Sequence, residues 1–278
     1  MFKGRKLLIV TKHEKEKVIA PIVELELAVN CFVTNLFDTD ELGTFSGEIE
    51  REDDPIATVR KKCIRAMEIT GADLAIANEG SFGPHPSFYF ISADDEFLIF
   101  IDKKNELEII VRELSTDTNF NASVVKNEKE LFEFAEKAKF PTHGLILKNK
   151  SEHFTTIVKG ITNEQELLEN YKKLLSQNAE VYIETDMRAM YNPSRMKIIE
   201  SATKKLVAKI KAACPKCNTP GFGIKNAKEG LRCELCNSPT RSTLSYVYAC
   251  EKCLFEQEEK FPNGKMKEDP TYCDVCNP

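Results

Sequence analysis

Tryptophan is absent from the 278 residues, so large aromatic packing falls to 17 Phe and 7 Tyr, enough to fill a core. No window approaches the roughly 18 consecutive apolar residues that a membrane-spanning helix needs. Residues 1–17 (MFKGRKLLIVTKHEKEK) hold one short apolar run followed by charge, whereas a secretory signal needs about 7–15 apolar residues. The expectation is a chain that is neither exported nor membrane-bound, and hence cytoplasmic. An excess of positive charge is also missing: 39 Lys+Arg face 44 Asp+Glu, a net −5. A basic face for unspecific nucleic-acid binding is therefore not the overall design. With 42% hydrophobic and 30% charged residues the chain has a globular balance rather than a disordered one.

Cysteine is unevenly placed. Eight of the ten fall after residue 213, in four CxxC pairs: Cys214/Cys217, Cys233/Cys236, Cys250/Cys253 and Cys273/Cys276. Cys31 and Cys63 stand alone in apolar segments and read as core thiols. Taken in order, the first two pairs and the last two each match the C-x₂-C-x₁₅₋₂₀-C-x₂-C spacing of zinc sites. Two CxxC turns present four thiolates and close a tetrahedral ion. Interleaved pairing is the geometric alternative, and spacing leaves the two open. Four thiolates leave no position for water or substrate, so both sites read as structural. About 65 residues with few large apolar groups need such staples to fold. The tail is basic in its first half (Lys216, Lys225, Lys228, Arg232, Arg241) and acidic in its second (Glu251, Glu256, Glu258, Glu259, Glu268, Asp269). Contact with nucleic acid or protein through the ribbons is one role for it, and a purely structural role is the other.

The preceding residues alternate strand and helix patterns. Lys6–Val10 is an apolar strand run, Val18–Val29 a helical pattern with Pro21 in its first turn, and Cys31–Phe37 a second strand. Pro55–Thr70 reads as a helix with Gly71 at its C-terminal cap. Leu74–Ala77 is a third strand, and Ser87–Ser92, Glu96–Ile101 and Leu107–Leu114 read as a meander. Two further helices begin alike, Asn127-Glu-Lys-Glu-Leu and Asn163-Glu-Gln-Glu-Leu, each with an Asn cap and acids in its first turn. Strands flank both in the order βαββαβ, which fits a ferredoxin-like split unit or an extension of the first sheet. Asn192-Pro193 opens a long helix leading to the cysteines. The expected fold class is α/β: a mixed sheet flanked by helices, with a C-terminal double zinc-ribbon module. Expected domains are 1–120, 121–212 and 213–278.

Three polar segments can carry chemistry. Thr11–Lys17 follows the first strand, where backbone N–H groups and lysines meet anions; a solvated charge run is the alternative. Asp38–Glu50 and Asn78–Pro86 form the second group. There Gly80 and Gly83 let backbone approach a substrate, His85 lies between two prolines, and Glu79 could hold Mg²⁺ or activate water. A tight structural turn is the alternative. Glu184–Arg195 is the third. Glu184, Asp186, Arg188 and Arg195 could hold a phosphate or carboxylate, or form a buried ion-pair network.

Two resemblances follow from these motifs. EGSFGPHP, ETDMRAMYNPSRM and the CPKC…PGF…GLRCELC tail resemble a bacterial family known only as a domain of unknown function. Residues 7–82 are similar to the inosine/xanthosine triphosphate pyrophosphatases. Thr11 and Lys17 keep that family's spacing after the first strand. Gly43, Thr44, Phe45 and Glu48 resemble its second motif, Lys62-Cys63 stands where Lys-Ala would, and Ala77-Asn78-Glu79-Gly80-Ser81 resembles its third. The resemblance implies that Thr11 and Lys17 contact a triphosphate, Glu48 ligates Mg²⁺, Glu79 ligates metal or acts as base, and Lys62 neutralises phosphate charge. One acid replaces an Asp pair, and a later base-specificity motif is lacking. The expected activity is Mg²⁺-dependent hydrolysis of a nucleotide or other phosphorylated small molecule, in which Glu48, Glu79 and Lys62 share one cleft. The competing expectation is a non-enzymatic zinc-ribbon protein that binds a nucleic acid or protein, in which those residues are dispersed or paired internally.

Overall fold

The structure, a computed structural model, describes residues 1–37, 54–149, 156–178 and 180–278. Two compact units divide the chain, Met1–Leu206 and Val207–Pro278.

The first unit begins with β1 (Lys6–Val10), α1 (Glu16–Leu27), β2 (Asn30–Phe32), α2 (Pro55–Thr70), β3 (Leu74–Pro84), β4 (Ser92–Asp102) and β5 (Leu107–Ser115). These strands form one sheet in the order β2-β1-β3-β4-β5. β1 runs parallel to β2 and β3, and β3, β4 and β5 pair antiparallel. Four of the five β1 residues are buried, as expected of a central parallel strand with both faces covered. Local chemistry sets the ends of α2. The Asp54 carboxylate accepts from the Ile56 and Ala57 N–H groups, Pro55 offers no N–H to orphan, and Gly71 ends the helix at φ +70°. Val59, Cys63, Ala66 and Met67 of α2 pack on Leu8, Val10, Ala75, Ala77 and Ile99. Each fully buried Val, Leu, Ile or Met among them contributes about 1.5–3 kcal/mol.

The chain leaves β1 through α1 to β2 on one side and returns through α2 to β3 on the other. That reversal is a topological switch point, and open α/β sheets bind ligands in the crevice outside the carboxyl ends of the strands there. In this chain those ends are Thr11–Lys15 and the outer half of β3.

Three local expectations are corrected. Helix α1 starts two residues before the apolar pattern, so Pro21 lies inside it rather than in its first turn. The second strand stops at Phe32 instead of Phe37. The expected strand Ser87–Ser92 is not formed: Ser92 opens β4, and Ser87–Ile91 belongs to the connection between β3 and β4. There the His85 ring nitrogen Nδ1 accepts from the Ser87 and Phe88 N–H groups, and Ile91 donates to the Phe88 carbonyl. Those bonds close a tight turn, which leaves Phe88, Tyr89 and Phe90 exposed at its tip.

A second sheet follows: β6 (Ala122–Val125), α3 (Glu128–Lys137), β7 (Leu145–Lys148), β8 (Ile157–Ile161), α4 (Glu164–Gln177) and β9 (Val181–Thr185). Its order is β6-β9-β7-β8, with every neighbouring pair antiparallel. Each helix joins two strands with a third between them, the split pattern, so this sheet stands beside the first rather than extending it. Asn127 accepts from the Glu130 N–H and Asn163 from the Glu166 N–H, both at the helix starts expected of them. Leu131, Phe134, Leu167, Tyr171 and Leu174 pack on Leu145, Leu147, Val181 and Ile183. A 3₁₀ turn, Ala189–Tyr191, leads to α5 (Pro193–Lys211), capped by the Asn192 side-chain oxygen Oδ1 accepting from the Arg195 N–H.

The second unit holds one antiparallel sheet of β10 (Gly223–Glu229), β11 (Thr243–Ala249) and β12 (Glu256–Lys260), with β11 central. Its buried apolar side chains are few beyond the cysteines, among them Leu231, Val247 and Ala249.

Candidate functional site

The four CxxC turns gather into two groups, Cys214/Cys217/Cys250/Cys253 and Cys233/Cys236/Cys273/Cys276, with the sulfurs of each group within 4.8 Å of one another. Pairing in chain order is thereby corrected to the interleaved alternative, and the sheet explains why. Gly223 opens β10 opposite Ala249 at the end of β11, so the turn before β10 lies beside the turn after β11. The second turn lies at the far end of these seven-residue strands, about 23 Å away at ~3.3 Å per residue. Antiparallel β12 returns the chain to that far end, where the fourth turn follows.

Cross-turn sulfur separations are 3.7 Å (Cys214–Cys253), 3.6 Å (Cys217–Cys250), 3.9 Å (Cys233–Cys276) and 3.5 Å (Cys236–Cys273). A tetrahedron with ~2.3 Å Zn–S bonds has S···S edges of about 3.8 Å, whereas a disulfide needs about 2.05 Å. Both groups can hold zinc. Asn218 and Asn237 follow two of the turns at φ +59°, a left-handed conformation that Asn tolerates. The Thr219 hydroxyl, 3.1 Å from Cys217 Sγ, and then the Thr219 N–H favour the thiolate and lower its pKa to about 6. Ser238 does the same for Cys236, again to about 6.

The first unit holds a cavity of about 690 Å³, within the usual range of small-molecule sites. Lys12 and His13 after β1, and Gly80, Ser81 and Phe82 of β3, form one wall, so it lies where the strand order reverses. Phe120, Ala122, Ile146, Lys159, Tyr182, Glu184, Thr185, Asp186, Met187, Arg188 and Met190 complete the lining. A smaller cavity of about 350 Å³ touches Thr11, Lys12, His13, Glu14 and Glu16.

A cluster of buried charge lies in the same unit. Gly80, Asn78 and Phe82 share a face of β3, and their register partners on β4 are Glu96, Leu98 and Asp94. Arg195, fully buried, donates to Glu96 at 2.6 Å and to the Met187 carbonyl at 2.5 Å, and its guanidinium lies 4.9 Å from the Phe82 ring. A Cβ at Gly80 would come within 2.4 Å of that guanidinium, so the strand needs glycine there. Asn78 also donates to Glu96, at 2.8 Å. Burial, followed by the charge of Glu96, pushes the Asp94 carboxyl up to about 8. Burial, followed by the Arg195 charge, pulls the Lys15 ammonium down to about 7.

The expected site residues fall in several places. Glu79 and Lys62 do meet, but in a buried ion pair on the α2 side of the sheet and not on the wall of either cavity, which is the internal pairing expected of the competing, non-enzymatic reading. Glu48 lies outside the described residues, as does all of Asp38–Glu50. Thr11 donates to the Lys12 carbonyl at the smaller cavity, and Lys17 pairs with Glu14 at 2.6 Å on the surface. Arg195 takes the ion-pair alternative. Glu184, Asp186 and Arg188 share the larger cavity. Glu184 pairs with Lys148 at 2.8 Å, and its carboxyl is raised above the ordinary range by burial, against the lowering effect of Lys148. Sequence reasoning missed Lys159, Tyr182, Phe120 and the two methionines. Lys159 and Tyr182 come from strands of the second sheet, and Phe120, Met187 and Met190 from the segments before β6 and after β9, and only tertiary packing brings them to the ends of β1 and β3.

These features define an α/β protein with two four-cysteine groups, each able to hold a zinc ion, on a separate C-terminal sheet. The family described as "Domain of unknown function (DUF6671)" matches residues 62–278, and the chain belongs to that family. The description names no activity, so the pyrophosphatase resemblance of residues 7–82 gains nothing from it. No curated protein matches the chain. Among solved structures, the chain is similar to a Vibrio cholerae protein determined by crystallography, at 7% identity and a TM-score of 0.32, over 74% of this chain and 94% of that one. A likeness of that size carries no argument about fold or function.

Proposed function

We propose that the first unit is a Mg²⁺-dependent hydrolase of a nucleotide or another phosphorylated small molecule. One observation carries the reading: Lys12, Lys159 and Arg188, the carboxylates Glu184 and Asp186, and the rings of Phe82, Phe120 and Tyr182 all line one cavity. A phosphorylated molecule with a planar ring uses each kind. Arginine and lysine take phosphate oxygens, and aromatic faces take a base. Mg²⁺ is held by one or two carboxylates together with substrate phosphates, and Glu184 would hold it on these walls, since both oxygens of Asp186 are taken by Arg188 and the Gly160 N–H. The ion would supply charge neutralisation at the phosphates. Glu184 has the raised pKa of a general base, and it accepts a proton only when ionised, so turnover should climb as pH rises through that value. Glu79, paired with Lys62 behind the strand, is proposed to set the field at the site.

Phosphate and pyrophosphate release from a nucleoside triphosphate panel, including ITP and XTP, tests the reading with Mg²⁺ and matched zinc content. Glu184→Gln should lower release at least ~100-fold, the scale of a lost general base. An equal loss in Glu79→Gln alone would move the base to the Lys62–Glu79 pair. No release from any substrate would overturn the hydrolase.

A second reading has its own observation. Leu235 and Val275 occupy the middle of two CxxC turns of one four-cysteine group, and they are 75% and 65% exposed. Apolar tips on a metal-braced turn suit contact with a partner, and a protein fits them better than a phosphate backbone does. Fluorescence anisotropy with labelled RNA and DNA separates the two: salt-sensitive binding would favour nucleic acid.

A further inference from the structure

We propose that Tyr191 is a positioning residue of the larger cavity. Its ring holds Arg188 ready for the ligand's phosphate, and Gly160 and Gly144 are glycines because the Tyr191 ring and the Tyr191 Cβ, respectively, occupy the space of their side chains. The inference rests on the reading that this cavity takes a phosphorylated molecule.

Arg188 is held twice. Its Nε donates to Asp186 Oδ1 at 3.0 Å and its Nη2 to Oδ2 at 2.6 Å, while the Arg188 N–H also reaches Oδ1 at 3.0 Å. Its guanidinium lies 4.6 Å from the Tyr191 ring centroid, a cation–π distance. A carboxylate along one edge and a ring over one face fix a side chain that otherwise loses much rotamer freedom on binding.

Tyr191 does not line the cavity, so it acts through Arg188. Its seat is built from backbone. A Cβ at Gly160 would stand 2.7 Å from the ring carbon Cζ and 2.8 Å from the hydroxyl, and one at Gly144 would stand 2.9 Å from Tyr191 Cβ. Gly160 also adopts φ +76°, which other residues rarely do. The same backbone fixes the carboxylate. The Gly160 N–H donates to Asp186 Oδ2 at 3.1 Å, the Asp186 N–H to the Gly144 carbonyl at 2.8 Å, and the Gly144 N–H to the Tyr191 carbonyl at 2.8 Å. Ring, carboxylate and guanidinium therefore form one assembly supported by three segments of the second sheet. Lys159, next to Gly160, lines the same cavity and adds a second cation.

The test uses the full-length, zinc-loaded protein with inorganic pyrophosphate and ATP as probes, read by calorimetry. Tyr191→Leu should weaken pyrophosphate binding about tenfold, whereas Tyr191→Phe, which keeps the ring, should stay within about twofold of wild type. Gly160→Ala should behave like Tyr191→Leu, since its Cβ displaces the ring. The Arg188 Nε–H resonance gives a second measurement that needs no destabilising variant. It should shift on adding pyrophosphate to wild type and to Tyr191→Phe alike. Unchanged affinity in a folded Tyr191→Leu protein, or an Arg188 resonance that ignores bound pyrophosphate, would overturn the inference and leave the hydrolase reading standing. Wild type that binds neither probe would overturn both.

Discussion

The two units reach stability by opposite means. The first buries whole faces of two sheets under α2, α3 and α4, and that apolar mass surrounds buried charges such as Glu96 and Arg195. The second has a three-stranded sheet whose outer strand β12 is exposed at every residue, and few apolar side chains beneath it. Its shape comes from eight sulfurs at the two ends of the sheet. A core that tolerates internal charge can build a polar cavity, while a sheet held by thiolates has no interior to spare for one. The polar cavity and the four-cysteine groups accordingly lie in different units.

The largest expected effect separates the units outright. Structural zinc contributes roughly 10–16 kcal/mol of apparent binding energy per site. Removing it with a chelator should make residues 207–278 sensitive to protease and leave 1–206 resistant. Equal loss in both units, or in neither, would break the contrast. Next comes the interleaving. Cys233→Ser should release one ion and open Cys236, Cys273 and Cys276 to alkylation, while Cys214, Cys217, Cys250 and Cys253 stay protected. Alkylation of Cys214 and Cys217 instead would restore pairing in chain order.

Smaller effects sharpen the first unit. Glu96→Gln leaves the buried Arg195 charge uncompensated and should cost about 3–5 kcal/mol in denaturant unfolding. An unchanged midpoint would mean that Arg195 finds another anion. The mildest prediction concerns pH. Asp94 has a folded pKa raised to about 8 from an ordinary 3.8, so its contribution is complete below about 4 and is lost as pH rises through 8. Lys15, lowered to about 7 from 10.5, works the other way: its burial costs most below 7, and stability recovers as pH rises toward 10.5. Asp94→Asn keeps only the lysine's trend. Its Tm should rise from pH 7 to 9 while that of wild type stays flatter or falls, and parallel curves would contradict this.

Much of this was legible where the signal is local. Pro55, Gly71, Asn127 and Asn163 act at short range through caps and φ preferences, and the helices they bound are in place. The cysteine pairs marked zinc because two thiolates three residues apart are themselves a ligand unit. The pairing was illegible because chain order says nothing about which strand ends meet. The run Ser87–Ser92 misled because an apolar run usually means burial, whereas here His85 ties a turn that exposes it. In the cavity, Glu184, Asp186 and Arg188 could be found from one segment, but Lys159 and Tyr182 could not, since sheet order brings them there. A buried ion-pair network was one of the two readings open for Arg195, but its partner was not legible, since Glu96 lies 99 residues away.

The central claim is that the phosphorylated ligand binds in the first unit's cavity and not at the zinc-bearing sheet. The methionines report on this directly, for Met187 and Met190 line the cavity while Met266 belongs to the second unit. The measurement is a titration of methyl-labelled, zinc-loaded protein with ATP in the presence of Mg²⁺. The account predicts saturable shifts of the Met187 and Met190 methyl signals with Met266 unmoved. Shifts at Met266 alone, or none anywhere, would contradict it.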